Sequence, residues 1–267
     1  MKFIIIALSM FILSAQTRAQ DTFTFAVVPQ QSAKKLAKLW TPLLREISDN
    51  SGIKLVFTTA PNIPIFEHRL SQGQYDFAYM NPYHFVVFNE SPGYQALAKQ
   101  KDKHIQGIIV VRKDAPYTSI NELNDITMAF PAPAAFAATL LPKADLSAHH
   151  VNVKSRYVSS HDSVYLSVAR GLSPAGGGIL RTFNNAPASV RDQLRILWKT
   201  EPHTPHAIAS HPDVSSETRQ KIQTSLLNLH KTENGSALLE AINFAAFEAA
   251  DNSDWEDIRV LGIESLK

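Results

Sequence analysis

The chain has 267 residues, 45% hydrophobic and 19% charged, a globular composition rather than a disordered or fibrous one. Its 26 basic and 24 acidic residues nearly balance, which argues against nucleic-acid binding, where a basic excess is the usual footprint. Cysteine is absent, so disulfides, thiol catalysis, iron–sulfur clusters and cysteine zinc sites are excluded.

The chain opens on a leader. Met1-Lys2 is a short basic start, residues 3–13 (FIIIALSMFIL) form an apolar run, and Thr17-Arg18-Ala19 places small residues at −3 and −1 of a cleavage point after Ala19. That is the pattern of a secretory signal peptide (residues 1–19). The run is shorter than the ~20 apolar residues a membrane anchor needs, and no cysteine follows it for lipid attachment. Cleavage removes Lys2 and Arg18 and leaves acids and bases equal in number. The product is expected to be soluble and periplasmic.

Residues 22–28 (TFTFAVV) alternate as a strand does. Leu36, Leu39, Trp40, Leu43, Leu44 and Ile47 recur at helical spacing. Pro42 is expected to kink that helix or start a second piece, and Gly52 to stop it. A strand is expected over 54–59, a helix over 64–72 closed by Gly73, and a strand over 76–80. A short helix over 82–89 has Pro82 in its first turn, where a missing N–H costs nothing. Further strands are expected at 106–112, 127–130, 151–158, 176–180 and 194–199, with helices over 135–141 and 161–170. Beyond Pro212 the chain reads as helices over 216–230 and 235–250. This alternation implies an α/β protein with mostly parallel sheets. About ten strands without linker or repeat suggest two α/β lobes built from interleaved chain.

Ligands in such sheets bind beyond the carboxyl ends of the strands, so those loops hold the candidates. Val28-Pro29-Gln30-Gln31-Ser32 offers amides at a helix N-terminus, either an anion site or an ordinary capped turn. Tyr79-Met80-Asn81-Pro82-Tyr83-His84 can stack on and hydrogen-bond a small solute, or serve as a cap with its aromatics in the core. Phe136, in the alanine-rich stretch 131–138, is an apolar wall or a core residue. His161, beside the capping Ser160, can reach a cleft or lie solvated. Gly176, Gly177 and Gly178 permit close backbone approach, and Arg181 beyond them can clamp a carboxylate or oxyanion. No dinucleotide fingerprint or P-loop is present. His203, His206 and His211, among prolines and without carboxylates nearby, are a weak zinc set. Neither a G-x-S-x-G nor an H-E-x-x-H motif occurs.

An ordered series of short motifs now becomes legible. It comprises Phe25-Ala26-Val27-Val28-Pro29, Trp40-Thr41-Pro42-Leu43, Gly52-Ile53-Lys54-Leu55, Gln74-Tyr75-Asp76-Phe77-Ala78-Tyr79, Asn81-Pro82-Tyr83 and His161-Asp162-Ser163-Val164 with Gly171. The series resembles the periplasmic substrate-binding proteins of phosphate/phosphonate-type ABC transporters (the PhnD-like group) over most of residues 21–183. The resemblance implies a type II periplasmic binding fold, two α/β lobes joined by a two-crossover hinge near Gln106 and Glu201. Lobe 1 would hold residues 20–105 and 202–267, and lobe 2 residues 106–201, with the ligand between them. Two departures stand out. The serine/threonine-rich loop of phosphonate-binding members reads Pro133-Ala134-Ala135-Phe136-Ala137-Ala138 here, and the expected acid after Gly171 is missing from Leu172-Ser173-Pro174-Ala175-Gly176. Gly176–Gly178 and Arg181, with the Asn81 cluster, are also similar to the periplasmic sensor domains of certain histidine kinases, tetrathionate sensors among them.

The expectation is a monomeric periplasmic solute-binding protein, not an enzyme, without cofactor or metal. It would capture a small anionic or oxyanionic ligand and deliver it to an ABC-transporter permease in the inner membrane. Gln30, Tyr79, Asn81, Tyr83 and His84 would line lobe 1. Phe136, His161, Gly176, Gly177, Gly178 and Arg181 would line lobe 2, with Arg181 as the charge partner. One alternative is a ligand-presenting component for a sensor histidine kinase. Another is a metal-binding protein or enzyme using the histidines.

Overall fold

The computed structural model describes residues 22–266; the expected leader and its cleavage point after Ala19 lie outside them. The chain begins β1 (Thr22–Val27), α1 (Ala33–Ser51), β2 (Lys54–Thr58), α2 (Ile63–Ser71), β3 (Phe77–Met80), α3 (Pro82–Glu90) and β4 (Gln95–Gln100). It continues with β5 (Gly107–Arg112), β6 (Thr127–Phe130), a π-helical turn (Phe136–Leu140) running into α4 (Leu141–Ala148), β7 (Lys154–Tyr157), α5 (His161–Ala169) and β8 (Ala175–Ile179). Then come α6 (Leu180–Asn184), α7 (Ala188–Arg191), β9 (Leu194–Lys199), β10 (Ala207–Ser210), α8 (Ser216–Asn228), α9 (Glu233–Ala241), β11 (Phe247–Ala249) and α10 (Glu256–Arg259).

The strands form two sheets, ordered β11-β4-β10-β3-β1-β2 and β7-β6-β8-β5-β9. This is the two-sheet α/β fold of type II periplasmic binding proteins. In the first sheet Phe25 stands opposite Phe57 on one side and Phe77 on the other, so an aromatic row crosses the β3-β1-β2 end of the sheet. The chain crosses between sheets twice. The crossings lie side by side: Ile105 and His203 exchange backbone hydrogen bonds of 2.8 and 2.9 Å, and Thr200 N–H donates to the Gly107 carbonyl at 3.0 Å.

Three expectations change. The sheets are mixed rather than mostly parallel: β1 is parallel to β2 and β3, and β6 to β7 and β8, but β10 opposes β3 and β4, β11 opposes β4, and β5 opposes β8 and β9. The strands flanking the two crossings supply most of the reversals. Pro42 does not divide α1, which runs unbroken over 19 residues. It sits on the exposed face, where water can take the carbonyl that its missing N–H leaves unpaired. The helix expected over 235–250 stops at Ala241, Asn243 turns at φ 59, and β11 follows.

The buried face of α1 is Leu36, Trp40, Leu43, Leu44 and Ile47. At about 1.5–3 kcal/mol for each large side chain fully buried, this stripe is a main anchor of the first sheet. The same core cluster takes in Ala132, Ala134–Ala138, Leu141 and Ile179. Those residues belong to the second sheet's part of the chain, so the two halves share apolar surface. That shared surface is where the candidate site lies.

Candidate functional site

Gln30 is the pivot. It follows β1 in the loop before α1, is 6% exposed, and is held by three segments of chain. Arg181 Nη2 donates to its Oε1 at 2.5 Å. Its Nε2 lies 2.9 Å from His206 Nε2. Its backbone carbonyl accepts the His161 N–H at 2.9 Å. Because the guanidinium must face the amide oxygen, the Gln30 amide nitrogen faces His206. This assigns His206 Nε2 as acceptor and places its proton on Nδ1.

Tyr79 supports this group. Its ring stacks on His206 at 4.9 Å and 16°, and lies 4.8 Å from Trp40. The Arg181 guanidinium carbon sits 5.8 Å from the Tyr79 ring and 5.9 Å from that of Phe244, positions from which both faces favor the cation. Among the described residues no carboxylate lies within ion-pair distance of Arg181. A half-buried cation is thus left with neutral partners.

The second sheet contributes His161 at the start of α5. Ser160 caps that helix by accepting from Ser163 N–H at 3.1 Å. His161 Nδ1 is 3.0 Å from Thr182 Oγ1, itself 2.7 Å from the Tyr165 hydroxyl. Burial, and then the charge of Arg181, pushes the His161 imidazole down to about 3. His206 is held well below the usual range by burial first, then by Arg181, His84 and His161. Both rings are therefore neutral near pH 7.

Gln30, Tyr79, Asn81, Phe136, His161 and Arg181 are brought together. They line two adjoining cavities that share Ile105, Ile179 and His206, one of about 100 Å³ beside Arg181 and one of about 10 Å³ beside His161. Asn81 caps α3 by accepting the His84 N–H at 2.7 Å, and its amide nitrogen lies 3.4 Å from the Ala134 carbonyl across the interface. Phe136 meets His203 edge-on at 5.6 Å.

Five expected site residues are elsewhere. Tyr83 is committed to the C-terminal tail: its hydroxyl donates to the Ile263 carbonyl at 3.1 Å and accepts the Leu266 N–H at 2.9 Å. His84 lies behind Asn81, with Nε2 2.8 Å from Glu67 Oε1. Gly176, Gly177 and Gly178 serve packing. A Cβ at Gly176 would strike Val164, one at Gly177 the Ala138 carbonyl and the Phe130 ring, and one at Gly178 Tyr165. Bare backbone lets β8 touch the π-helical turn on one face and α5 on the other. The α1 N-terminus also differs from expectation, because Asp162 of α5 lies over it. Burial raises the Asp162 carboxyl, against the lowering influence of Lys35 and the Ser32 backbone N–H.

His206, Ile105 and Ile179 were missed as site residues. His206 was legible only as part of a possible metal trio, and that trio disperses. His206 faces Gln30, His203 lies 3.4 Å from Asp257, and His211 lies 3.5 Å from Asp213. No cluster of three or more potential metal ligands occurs among the described residues.

Two sheet-based halves, two adjacent crossings and a cationic, aromatic cleft between them define a periplasmic-type binding protein. Residues 25–255 match the family model described as "ABC transporter, phosphonate, periplasmic substrate-binding protein". The chain belongs to that family, whose members capture a solute for a membrane transporter. It is 22% identical to the phosphonates-binding periplasmic protein of Escherichia coli, with 96% of this chain and 81% of that one covered. It is 23% identical to a phosphate-import protein of Mycolicibacterium smegmatis, over 76% of this chain and 70% of that one. The Prochlorococcus marinus PhnD1 structure, in complex with methylphosphonate, superposes with a TM-score of 0.83 at 17% identity, covering 90% of this chain and 97% of that one.

Proposed function

We propose that this chain binds a small oxyanion of the phosphonate or phosphate class in the cleft between its sheets and presents it to an ABC-transporter permease. The observation that carries this reading is Arg181, a half-buried guanidinium on a cavity shared by both sheets, with no carboxylate partner among the described residues. Removing a carboxylate from such a cation leaves its charge to a ligand, and a planar guanidinium suits two oxygens of one anion. Gln30, Tyr79, Asn81, Phe136, His161 and His206 complete the walls. The relatives named for phosphonate and phosphate support the ligand class.

Residues 20–105 with 202–267 form one lobe in this reading, and 106–201 the other. The paired crossings at Ile105–Gly107 and Thr200–His203 act as the hinge. A ligand that touches both lobes binds the closed form more tightly and so shifts the population toward it. The leader is removed after Ala19, and the exported protein works as a monomer.

The test is a thermal-shift screen of protein purified from the periplasm, with phosphate, phosphite, methylphosphonate, sulfur oxyanions and small carboxylates. A ligand at 100 times its Kd adds about 2.7 kcal/mol of stability. A shift of several degrees with a phosphorus oxyanion supports the reading, and none with any oxyanion overturns it. An N-terminus at Gln20 and a monomer mass check the processing and the assembly.

A further inference from the structure

We propose that the cleft accepts anions that carry no ammonium group and turns away their amino-substituted counterparts. This deepens the oxyanion reading above and rests on it.

Neither cavity has an aspartate or glutamate in its wall. The formal positive charge there is Arg181, and the remaining polar groups are amides, imidazoles and a phenol. A ligand ammonium would lose its water and meet a cation with nothing of opposite sign to offset it. Asp102, between the wall residues Gln100 and His104, is exposed and lines neither cavity, and Glu67 and Asp162 are engaged elsewhere. Glu67 holds His84 at 2.8 Å, and it is Asn81 that faces the cavity. Asp162, next to His161, lies over the start of α1 beside Lys35.

Two of the acceptors nearest Arg181 are also engaged: His206 Nε2 takes the Gln30 amide hydrogen, and Gln30 Oε1 takes the guanidinium. His161 and His206 already report on the field an ammonium would feel, since burial and Arg181 together keep both from taking up a proton.

Ethylphosphonate and aminomethylphosphonate are nearly the same size and differ in an ammonium for a methyl. Calorimetric titration of the purified protein at pH 7.5 with this pair, and with methylphosphonate and phosphate, tests the idea. Ethylphosphonate is expected to bind at least 100-fold more tightly than aminomethylphosphonate. Affinities within threefold of each other, or tighter binding of the amino compound, would overturn the inference while leaving the oxyanion reading intact. Binding of methylphosphonate alone among the phosphonates would place the selection on size and also overturn it. If none of the four binds, the oxyanion reading fails and takes this inference with it.

Discussion

Arg181 donates to Gln30 across 151 positions of sequence, joining the helix that follows β8 in one sheet to the first loop of the other at 2.5 Å. The same Gln30 carries a histidine on its amide nitrogen and another residue's backbone on its carbonyl. One side chain therefore reads both halves of the protein at once, and the cation it holds is aimed into the cleft.

Replacing that cation gives the most direct prediction. Arg181→Ala should weaken methylphosphonate binding by the equivalent of about 2–5 kcal/mol, the usual cost of deleting one partner of a buried charged contact. Arg181→Lys should recover only part, because an ammonium cannot present the planar fork. Titration calorimetry reads both variants, and unchanged affinity in the alanine variant would remove Arg181 from the site.

Acid sensitivity follows from the imidazoles. His161 is held at about 3 in the folded chain, whereas an unfolded histidine titrates near 6.5. Between those values the unfolded state binds more protons, so stability falls as pH falls through that window and is unaffected by this group above it. The slope approaches ~1.4 kcal/mol per pH unit for one such ring. Thermal unfolding from pH 7.5 to 4.5 should show the decline, and His161→Gln should flatten it.

Asp162 should act in the opposite sense. Its carboxyl is raised by burial, so the folded state holds the proton longer than the unfolded one and stability falls as pH rises above the usual 3.8. Asp162→Asn should be at least as stable as the parent at pH 7 and lose that advantage at pH 4. Urea unfolding at the two pH values checks this. Marked destabilization at pH 7 would instead credit the charge over α1.

Gly177→Ala puts a methyl against the Ala138 carbonyl oxygen and 2.7 Å from the Phe130 ring. Backbone cannot swing aside as a side chain can. The expected cost is about 1–3 kcal/mol or more, the range for overpacking a filled core, measurable as a lower urea midpoint.

Tyr83→Phe separates tail from cleft. Losing the bonds to Ile263 and Leu266 should cost on the order of 1–2 kcal/mol of stability. Affinity for methylphosphonate should not change. A drop in affinity would return Tyr83 to the site.

Local chemistry made much of this legible in advance. The α1 stripe, the Asn81 and Ser160 caps and the strand before Arg181 all follow from short-range pattern. What escaped depends on pairing at long range. β10 and β11 are short and β4 (QALAKQ) lacks a regular alternation, so their strand character comes from neighbors in the sheet. His206 reaches Gln30 across 176 positions, a contact no spacing rule encodes. The glycine triplet misled because a strand stripped of side chains looks the same in sequence whether it makes room for a ligand or for its own neighbors. Tyr83 and His84 misled because a helix start puts successive residues on different faces, and only Asn81 turns toward the cleft.

The bare strand also bears on how the cleft can change over generations. Main chain meets main chain at Gly177, against the Ala138 carbonyl, while Gly176 and Gly178 abut the Val164 and Tyr165 side chains, so a replacement at any of the three must displace a packed neighbor of the strand that leads to Arg181. A change of ligand would then fall on cavity residues outside β8, such as Tyr79, Asn81 and Gln100 on the other sheet's side.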